Sequence, residues 1–222
     1  MPKLQPIQQP MALAAIAHDA IRRSIITGKM KPGMIYNEVP LAKELNISRT
    51  PVREALLELA AKGLINFLPR KGVEVVRFSR GDIEEIFEVR LAMELFIVEK
   101  AARQREKIDL SSVDAAMQEQ EIALDKDDMI GFMDGDRSFH YAFAELSGNE
   151  RMNVIMTNLR DLVHIMGLEA LATRGRAMEV ISEHRLVYQA IVKGDVRAAR
   201  RNINRHLDLS REAVLQRSRY WR

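Results

Sequence analysis

The 222-residue chain contains no cysteine, which excludes disulfides and thiolate metal sites and suits a reducing cytoplasm. Aromatic residues make up only 5% of the chain, with a single tryptophan, so the aromatic and β-branched enrichment of an all-β protein is missing. Long apolar runs are missing too: stretches such as Met11 to Ala17 fall far short of the roughly 20 residues that span a membrane. The first residues lack the charged-then-apolar layout of a signal peptide. These absences together predict a soluble, cytoplasmic protein with no membrane partner.

What is present is material for a core. Apolar residues account for 47% of the chain and charged residues for 29%, a helix-rich balance over a length that allows one large domain or two modest ones. The net charge of +3 hides an asymmetry: residues 1–77 hold 12 Lys and Arg against 6 Asp and Glu, whereas the remainder holds 22 against 25. A basic N-terminal third that meets a polyanion, followed by a part with another task, is the reading this split suggests.

Periodicity divides the N-terminal third into three helices and a hairpin. The first helix covers residues 11–28, with Ala14, Ile16, Ile21, Ile25 and Ile26 as apolar positions and Gly28 near its end. A short second helix runs from Pro40, at its first position, to Leu45 and stops at Asn46, and Ser48 caps a third. On that third helix Val52, Ala55, Leu56, Leu59 and Gly63 share one arc, while Arg49 and Arg53 share a neighbouring arc beside Thr50. One arc packs and the other reaches outward. The stretch INFLPRKGVEVVRF then gives two β-prone runs around Pro69-Arg70-Lys71-Gly72, a hairpin with a basic tip. Three helices and such a hairpin make a winged helix-turn-helix, in which arginines near a helix N-terminus can reach guanine edges and phosphates while the tip reaches the backbone or minor groove.

From residue 82 onward the pattern is helical. SRGDIEEIF opens a helix with Asp82 as its cap, placing a linker at residues 78–81. Helices are expected over 82–104, 109–125, 129–147, 150–172, 176–193 and 195–217, with breaks such as DKDD, SGN, TRG and KGD. The fold class is therefore mainly α: a winged helix-turn-helix at 1–77 and an all-α bundle of about six helices at 82–222.

Three of the five histidines form a pattern with one aspartate. Asp136 and His140 are four residues apart and share a helix face. His184 precedes Gly194 by ten residues and His206 follows Asp195 by eleven, so both stand about 15–16 Å from the same turn and side by side in an antiparallel hairpin. If the helix of Asp136 and His140 packs against that pair, three imidazoles and a carboxylate converge, a set suited to zinc first, and to nickel, iron or manganese, with room for outside ligands. Such a set can also activate water, so a metal-dependent hydrolase is the rival from another class. Against it stands the absence of an obvious glutamate beside the cluster to act as general base. His18 and His164 have no comparable partners and are read as structural.

SRTPVREAL, the GLI exit and the PRKGVEVV hairpin resemble the signature of the GntR superfamily of bacterial transcription regulators across residues 11–77. The resemblance implies contacts to operator DNA from Ser48, Arg49, Thr50, Arg53 and Gly72, to which the basic tip adds Arg70 and Lys71. Many relatives carry a basic residue near the start of the second helix, where this chain has Val39-Pro40. DRSFH with ELSGN, then EHRLVYQAIVKGD and ARRNINRHL, resemble the FCD ligand-sensing domain of the FadR subgroup. In metal-binding relatives the ligands correspond to Asp136, His140, His184 and His206; six helices rather than seven would place the chain in the VanR-like branch. The family's arginine in the first sensing helix is matched by Arg90 in FEVRLAMEL, which would hold a carboxylate effector near the metal; an Arg90–Glu94 ion pair is the other reading of that residue. The resemblance implies a homodimer that binds palindromic, double-stranded operator DNA and responds to a small organic acid.

Overall fold

The computed structural model describes residues 13–171 and 174–217. The chain forms two compact units, the first ending at Val76 and the second beginning at Arg77.

In the first unit, α1 (Leu13–Ile26) buries Ala17, His18, Ile21, Ile25 and Ile26 and packs on α3 (Arg49–Ala61), whose buried residues are Val52, Ala55, Leu56 and Leu59. Expected helical positions 11 and 12 lie outside the described residues. Between them, α2 runs from Glu38 to Glu44, two residues earlier than its apolar pattern indicates. Pro40 is thus the third helical residue rather than the first, and the turn tolerates it because the N–H groups there have no intrahelical acceptor. The α2 exit has Asn46 in the left-handed region (φ 53) with Ile47 N–H bonded back to the Ala42 carbonyl, which fixes the turn between α2 and α3. Ser48 is the N-cap of α3 by backbone, yet its hydroxyl makes no capping bond. The GLI exit closes α3 in the same manner, Gly63 at φ 74 and the Leu64 N–H on the Leu59 carbonyl.

The wing is a three-stranded antiparallel sheet in the order β1-β3-β2, built from Ile35–Tyr36, Gly72–Val75 and Ile65–Leu68 respectively. Ile65 pairs with Val75 and Leu68 with Gly72, so residues 69–71 form the tip. Strand β1 was not visible in the sequence, because two residues cannot show an alternation. It also explains Gly72: at φ 118 a Cβ would clash with the Tyr36 carbonyl oxygen of β1 and lie 2.8 Å from Asn37 Oδ1.

The second unit contains six helices among the described residues: α4 (Arg80–Arg103), α5 (Ser111–Asp125), α6 (Met129–Leu146), α7 (Glu150–Leu171), α8 (Arg174–Val192) and α9 (Val196–Arg217). Helix α4 starts earlier than expected because Ser79, not Asp82, is the N-cap. The Ser79 hydroxyl accepts from Asp82 N–H and the Asp82 carboxylate accepts from Ser79 N–H, a closed capping box. The apolar core gathers Ile97, Val98 and Ala101 of α4 with Phe139 and Phe143 of α6, Met156 of α7, Val187 and Ile191 of α8, and Ile203 and Leu207 of α9. Helices α5 and α6 approach closely at Gly135, where a Cβ would stand 2.8 Å from Gln120 Cγ and 3.0 Å from its backbone nitrogen. No described helix is long and apolar enough to cross a membrane.

Candidate metal centre and nucleic-acid interface

The antiparallel hairpin of α8 and α9, broken at Gly194 (φ 67), brings His184 and His206 to a ring separation of 4.6 Å. Helix α6 supplies Asp136 and His140 from consecutive turns of one face. One donor atom from each of the four lies within 4.8 Å of the others, and all four side chains are buried. The Nε2 atoms of His140 and His206 are 3.3 Å apart, and Asp136 Oδ1 stands 3.6 Å from His184 Nε2 and 4.0 Å from His140 Nε2. This inward convergence is the arrangement the spacing of DRSFH, EHR and RHL anticipated.

Each candidate ligand is also held from behind, and it is here that sequence reasoning found least. His140 Nδ1 donates to Glu94 Oε2 at 2.5 Å, His184 Nδ1 to Gln120 Oε1 at 2.9 Å, and His206 Nδ1 to Glu183 Oε2 at 2.7 Å. With each Nδ1 committed as a donor to an oxygen, each Nε2 is left as a lone-pair donor facing the centre. The second carboxylate oxygen of Asp136 pairs with Arg160 of α7, leaving Oδ1 for the cluster. Phe139 stacks on His184 with ring centroids 3.8 Å apart and further fixes its plane. Glu94, Gln120, Arg160 and Glu183 carry no local signal of these roles; only Glu183, next to His184, and Glu94, four residues from Arg90, lie near a residue the sequence singled out.

The electrostatics match ligand duty. Burial pushes the His140 and His184 imidazoles well below the usual histidine value, helped by Arg160 at His140 and by His206 at His184. Both stay neutral, the form that coordinates a metal. Burial works to raise the Asp136 carboxyl, but the Arg160 guanidinium paired with it outweighs burial and holds the group below the ordinary carboxylate range. The buried His184 Nε2 has no hydrogen-bond partner, an uncompensated cost that an ion between the four donors would remove. The donor set, three imidazole nitrogens and one carboxylate oxygen, fits zinc or another borderline divalent ion.

Arg90 sits beside this centre, 1% exposed, and the geometry shows the ion-pair reading of it. Its Nε donates to Glu94 Oε1 at 3.0 Å, the expected i, i+4 pair, while its Nη2 is buried with no acceptor. Burial draws the guanidinium down to about 10, so it remains charged at neutral pH. Glu94 is also the glutamate that the sequence did not place beside the cluster. Its two oxygens are taken by Arg90 and His140, which makes it a support for a ligand.

In the first unit Ser48, Arg49, Thr50 and Arg53 are exposed at the start of α3, with Arg70 and Lys71 exposed at the wing tip. Arg49, Arg53, Arg70 and Gly72 line one groove with Asn37, Glu38 and Phe67. Glu38 accepts from both arginines of α3's first turns, Oε2 from Arg49 Nη2 at 3.2 Å and Oε1 from Arg53 Nη1 at 2.9 Å. His18 stands apart, bridging Lys62 Nζ at 3.0 Å and Asp19 at 3.2 Å. His164 is buried on α7 and is not among the four clustered residues.

Known proteins give the same division. The family described as bacterial regulatory proteins, gntR family, matches residues 13–75, and the FCD domain matches residues 85–209. The HTH-type transcriptional regulator YdhC of Bacillus subtilis is 26% identical over 196 residues, 86% of each chain. The gluconate operon transcriptional repressor of Bacillus licheniformis is 28% identical over 195 residues, 85% of this chain and 79% of that one. Among solved structures, Escherichia coli McbR/YncC superposes with a TM-score of 0.81 at 23% identity, covering 93% of this chain and 99% of that chain, a likeness of fold.

Proposed function

The chain belongs to the GntR family of bacterial regulatory proteins and carries an FCD domain, and from that premise we propose a cytoplasmic regulator that binds a palindromic operator as a homodimer and senses a small carboxylate at a metal centre. The family is one of transcriptional regulators that bind operator DNA, and the hydrolase reading finds no support in it. The observation that carries the proposal is the buried centre itself: four inward donors, each with its own partner behind it, and the unpartnered His184 Nε2.

In this reading Asp136, His140, His184 and His206 hold the metal, zinc first among the candidates. A divalent ion held there supplies a positive centre for a carboxylate oxygen. The free Nη2 of Arg90 takes the other oxygen. Arg90 and Glu94 lie on α4, which takes up residues 80 and 81 of the expected linker and is the first helix after the first unit, its first turn locked by the Ser79–Asp82 box. A carboxylate that draws on Arg90 therefore acts on the helix leading to the DNA-binding unit, and that differential contact is what can bias an equilibrium between two states of the dimer. On the DNA side Ser48, Arg49, Thr50 and Arg53 contact the major groove, while Arg70, Lys71 and Gly72 meet the backbone or minor groove. Homodimerisation follows because one winged helix offers too little contact for a specific site. The exposed Val89 and Phe96 of α4, with Val154 and Ile155 of α7, offer apolar surface for it.

Metal analysis of protein purified without added metal tests the centre: about one ion per chain is expected in the wild type and none in His184→Ala. Metal absent from both, even after reconstitution, would remove the four-ligand assignment. Operator binding by fluorescence anisotropy, with and without a panel of carboxylic acids, tests the sensor. An acid that binds the protein yet leaves operator affinity unchanged would remove that part.

A further inference from the structure

The charges around the centre cancel before any ion is added. Three buried or largely buried acids touch the ligand set, Asp136, Glu94 and Glu183, and each is matched by one arginine: Arg160 to Asp136, Arg90 to Glu94 and Arg176 to Glu183. The three imidazoles coordinate in the neutral form. A divalent ion thus brings two positive charges into a buried interior where, among the described residues, the neighbouring acids are already paired, Asp161 with Arg137 included, and such an imbalance is costly at low dielectric. The arginines paired with Glu94 and Asp136 each keep one buried donor without an acceptor, Arg90 Nη2 and Arg160 Nε, on residues 1% and 2% exposed. The two guanidiniums lie close enough for Arg160 to oppose the charge on Arg90. The site therefore asks for two negative charges, with one set of oxygens for the ion and a second set for the arginines.

We propose that the ligand of this centre is a small dicarboxylate, one carboxylate meeting the ion and Arg90 and the second meeting Arg160. The inference rests on the metal-sensor reading above and narrows it from carboxylates to dianions. Removing the metal from the full-length protein with chelator, reloading it with zinc, and titrating succinate against butyrate and glutarate against pentanoate by calorimetry tests it. The better dicarboxylate is expected to bind at least about tenfold more tightly than its monocarboxylate partner, and zinc affinity is expected to rise in its presence by the reciprocal factor. Arg90→Gln is expected to reduce the preference. Zinc uptake with equal binding of mono- and dicarboxylates, or with binding of neither, would overturn the dianion while leaving the metal centre standing; failure to take up zinc would overturn both.

A second inference comes from the groove of the first unit and rests on α3 as the DNA-reading helix. Arg49 and Arg53 are like charges one helical turn apart, and Glu38 at the start of α2 spans them with one oxygen each. Its side chain is only 14% exposed, against 65% and 61% for those of the arginines, so it is the fixed member and the guanidiniums are oriented by it. The same negative charge faces any phosphate that approaches the groove. We infer that Glu38 is a positioning and specificity-determining residue, which aims the two forks at base edges and weakens the sequence-independent pull of the DNA backbone. The probe is a duplex selected by the full chain from random sequence, compared with a scrambled duplex of equal length. Glu38→Gln is expected to lower the ratio of specific to non-specific affinity at least about tenfold and to steepen the salt dependence of non-specific binding by about one ion. A ratio and slope within twofold of the wild type, in a variant with an unchanged melting temperature, would overturn it. If Glu38→Gln melts lower, Glu38→Asp, which keeps the charge but shortens its reach, is expected to retain the salt slope while losing specificity; retention of both would equally overturn it.

Discussion

Replacing Gln120 by leucine removes the hydrogen bond behind one ligand while leaving all four ligands in place. Gln120 is fully buried, its Oε1 accepts from His184 Nδ1 at 2.9 Å, and its Nε2 has no partner. Leucine of similar volume takes away the acceptor and relieves the orphaned amide, so the metal-free protein is expected to melt within a few degrees of the wild type. The metal-bound protein should differ. Loss of such a supporting bond lowers metal affinity about 10- to 100-fold, which is about 1.4–2.7 kcal/mol. At 2–4 °C per kcal/mol for a domain of this size, the rise in melting temperature on adding metal should shrink by roughly 3–10 °C. Differential scanning calorimetry with and without zinc, joined to a competition titration of zinc affinity, reads both quantities. A Gln120→Leu protein that binds zinc as tightly as the wild type would show that His184 needs no acceptor to present Nε2, and the account of the centre as a supported ligand set would fail.

Acidification should destabilise the chelator-treated protein. His140 and His184 lie well below their unfolded value in the folded state, so below about pH 6.5 the unfolded chain binds protons that the folded chain refuses, and stability falls by up to about 1.4 kcal/mol per pH unit for each imidazole. Urea unfolding at pH 7.0, 6.0 and 5.0 measures it; a flat profile would mean that these rings are not held neutral. Gly72→Ala places a Cβ against the Tyr36 carbonyl at a φ that L-residues rarely adopt, and should cost about 1–3 kcal/mol, read as faster amide exchange at Val73 and Val75. Unchanged exchange there would refute the close β1–β3 contact. Arg49→Ala should weaken binding to a selected operator by about 1–3 kcal/mol and relax preference at one base position, whereas Lys71→Ala should weaken all sequences alike. Equal losses on specific and scrambled duplexes for Arg49→Ala would move that residue from base reading to phosphate contact.

Local rules carried much of this. The arc of Val52, Ala55, Leu56 and Leu59 against the arc of Arg49 and Arg53 is set by 100° per residue and survives in the fold. The Asp136–His140 spacing and the symmetric placement of His184 and His206 about Gly194 need only the rise of a helix and one turn. Boundaries were less legible. Asp82 reads along the chain as a lone cap, whereas in the fold it pairs reciprocally with Ser79, and that box starts α4 upstream at Arg80. Pro40 fell inside the first turn of α2 because the constraint on proline is a missing donor, which any of the first residues satisfies.

The sequence alone determined the two-part division, the helices, the winged reading head and the identity of the four candidate ligands, because each is written in spacings of a few residues along one element. The tertiary structure decided what stands behind those ligands. Glu94 meets His140 across 46 residues, Gln120 meets His184 across 64, and Arg160 meets Asp136 across 24, and no periodicity records such pairings. They exist because α4, α5 and α7 pack around α6 and the α8–α9 hairpin closely enough, at Gly135 for one, to bring buried polar groups together where each must find a partner. The same packing left Arg90 Nη2, Arg160 Nε and His184 Nε2 without partners, and tertiary packing alone, never a spacing in the chain, could leave those three atoms unfilled.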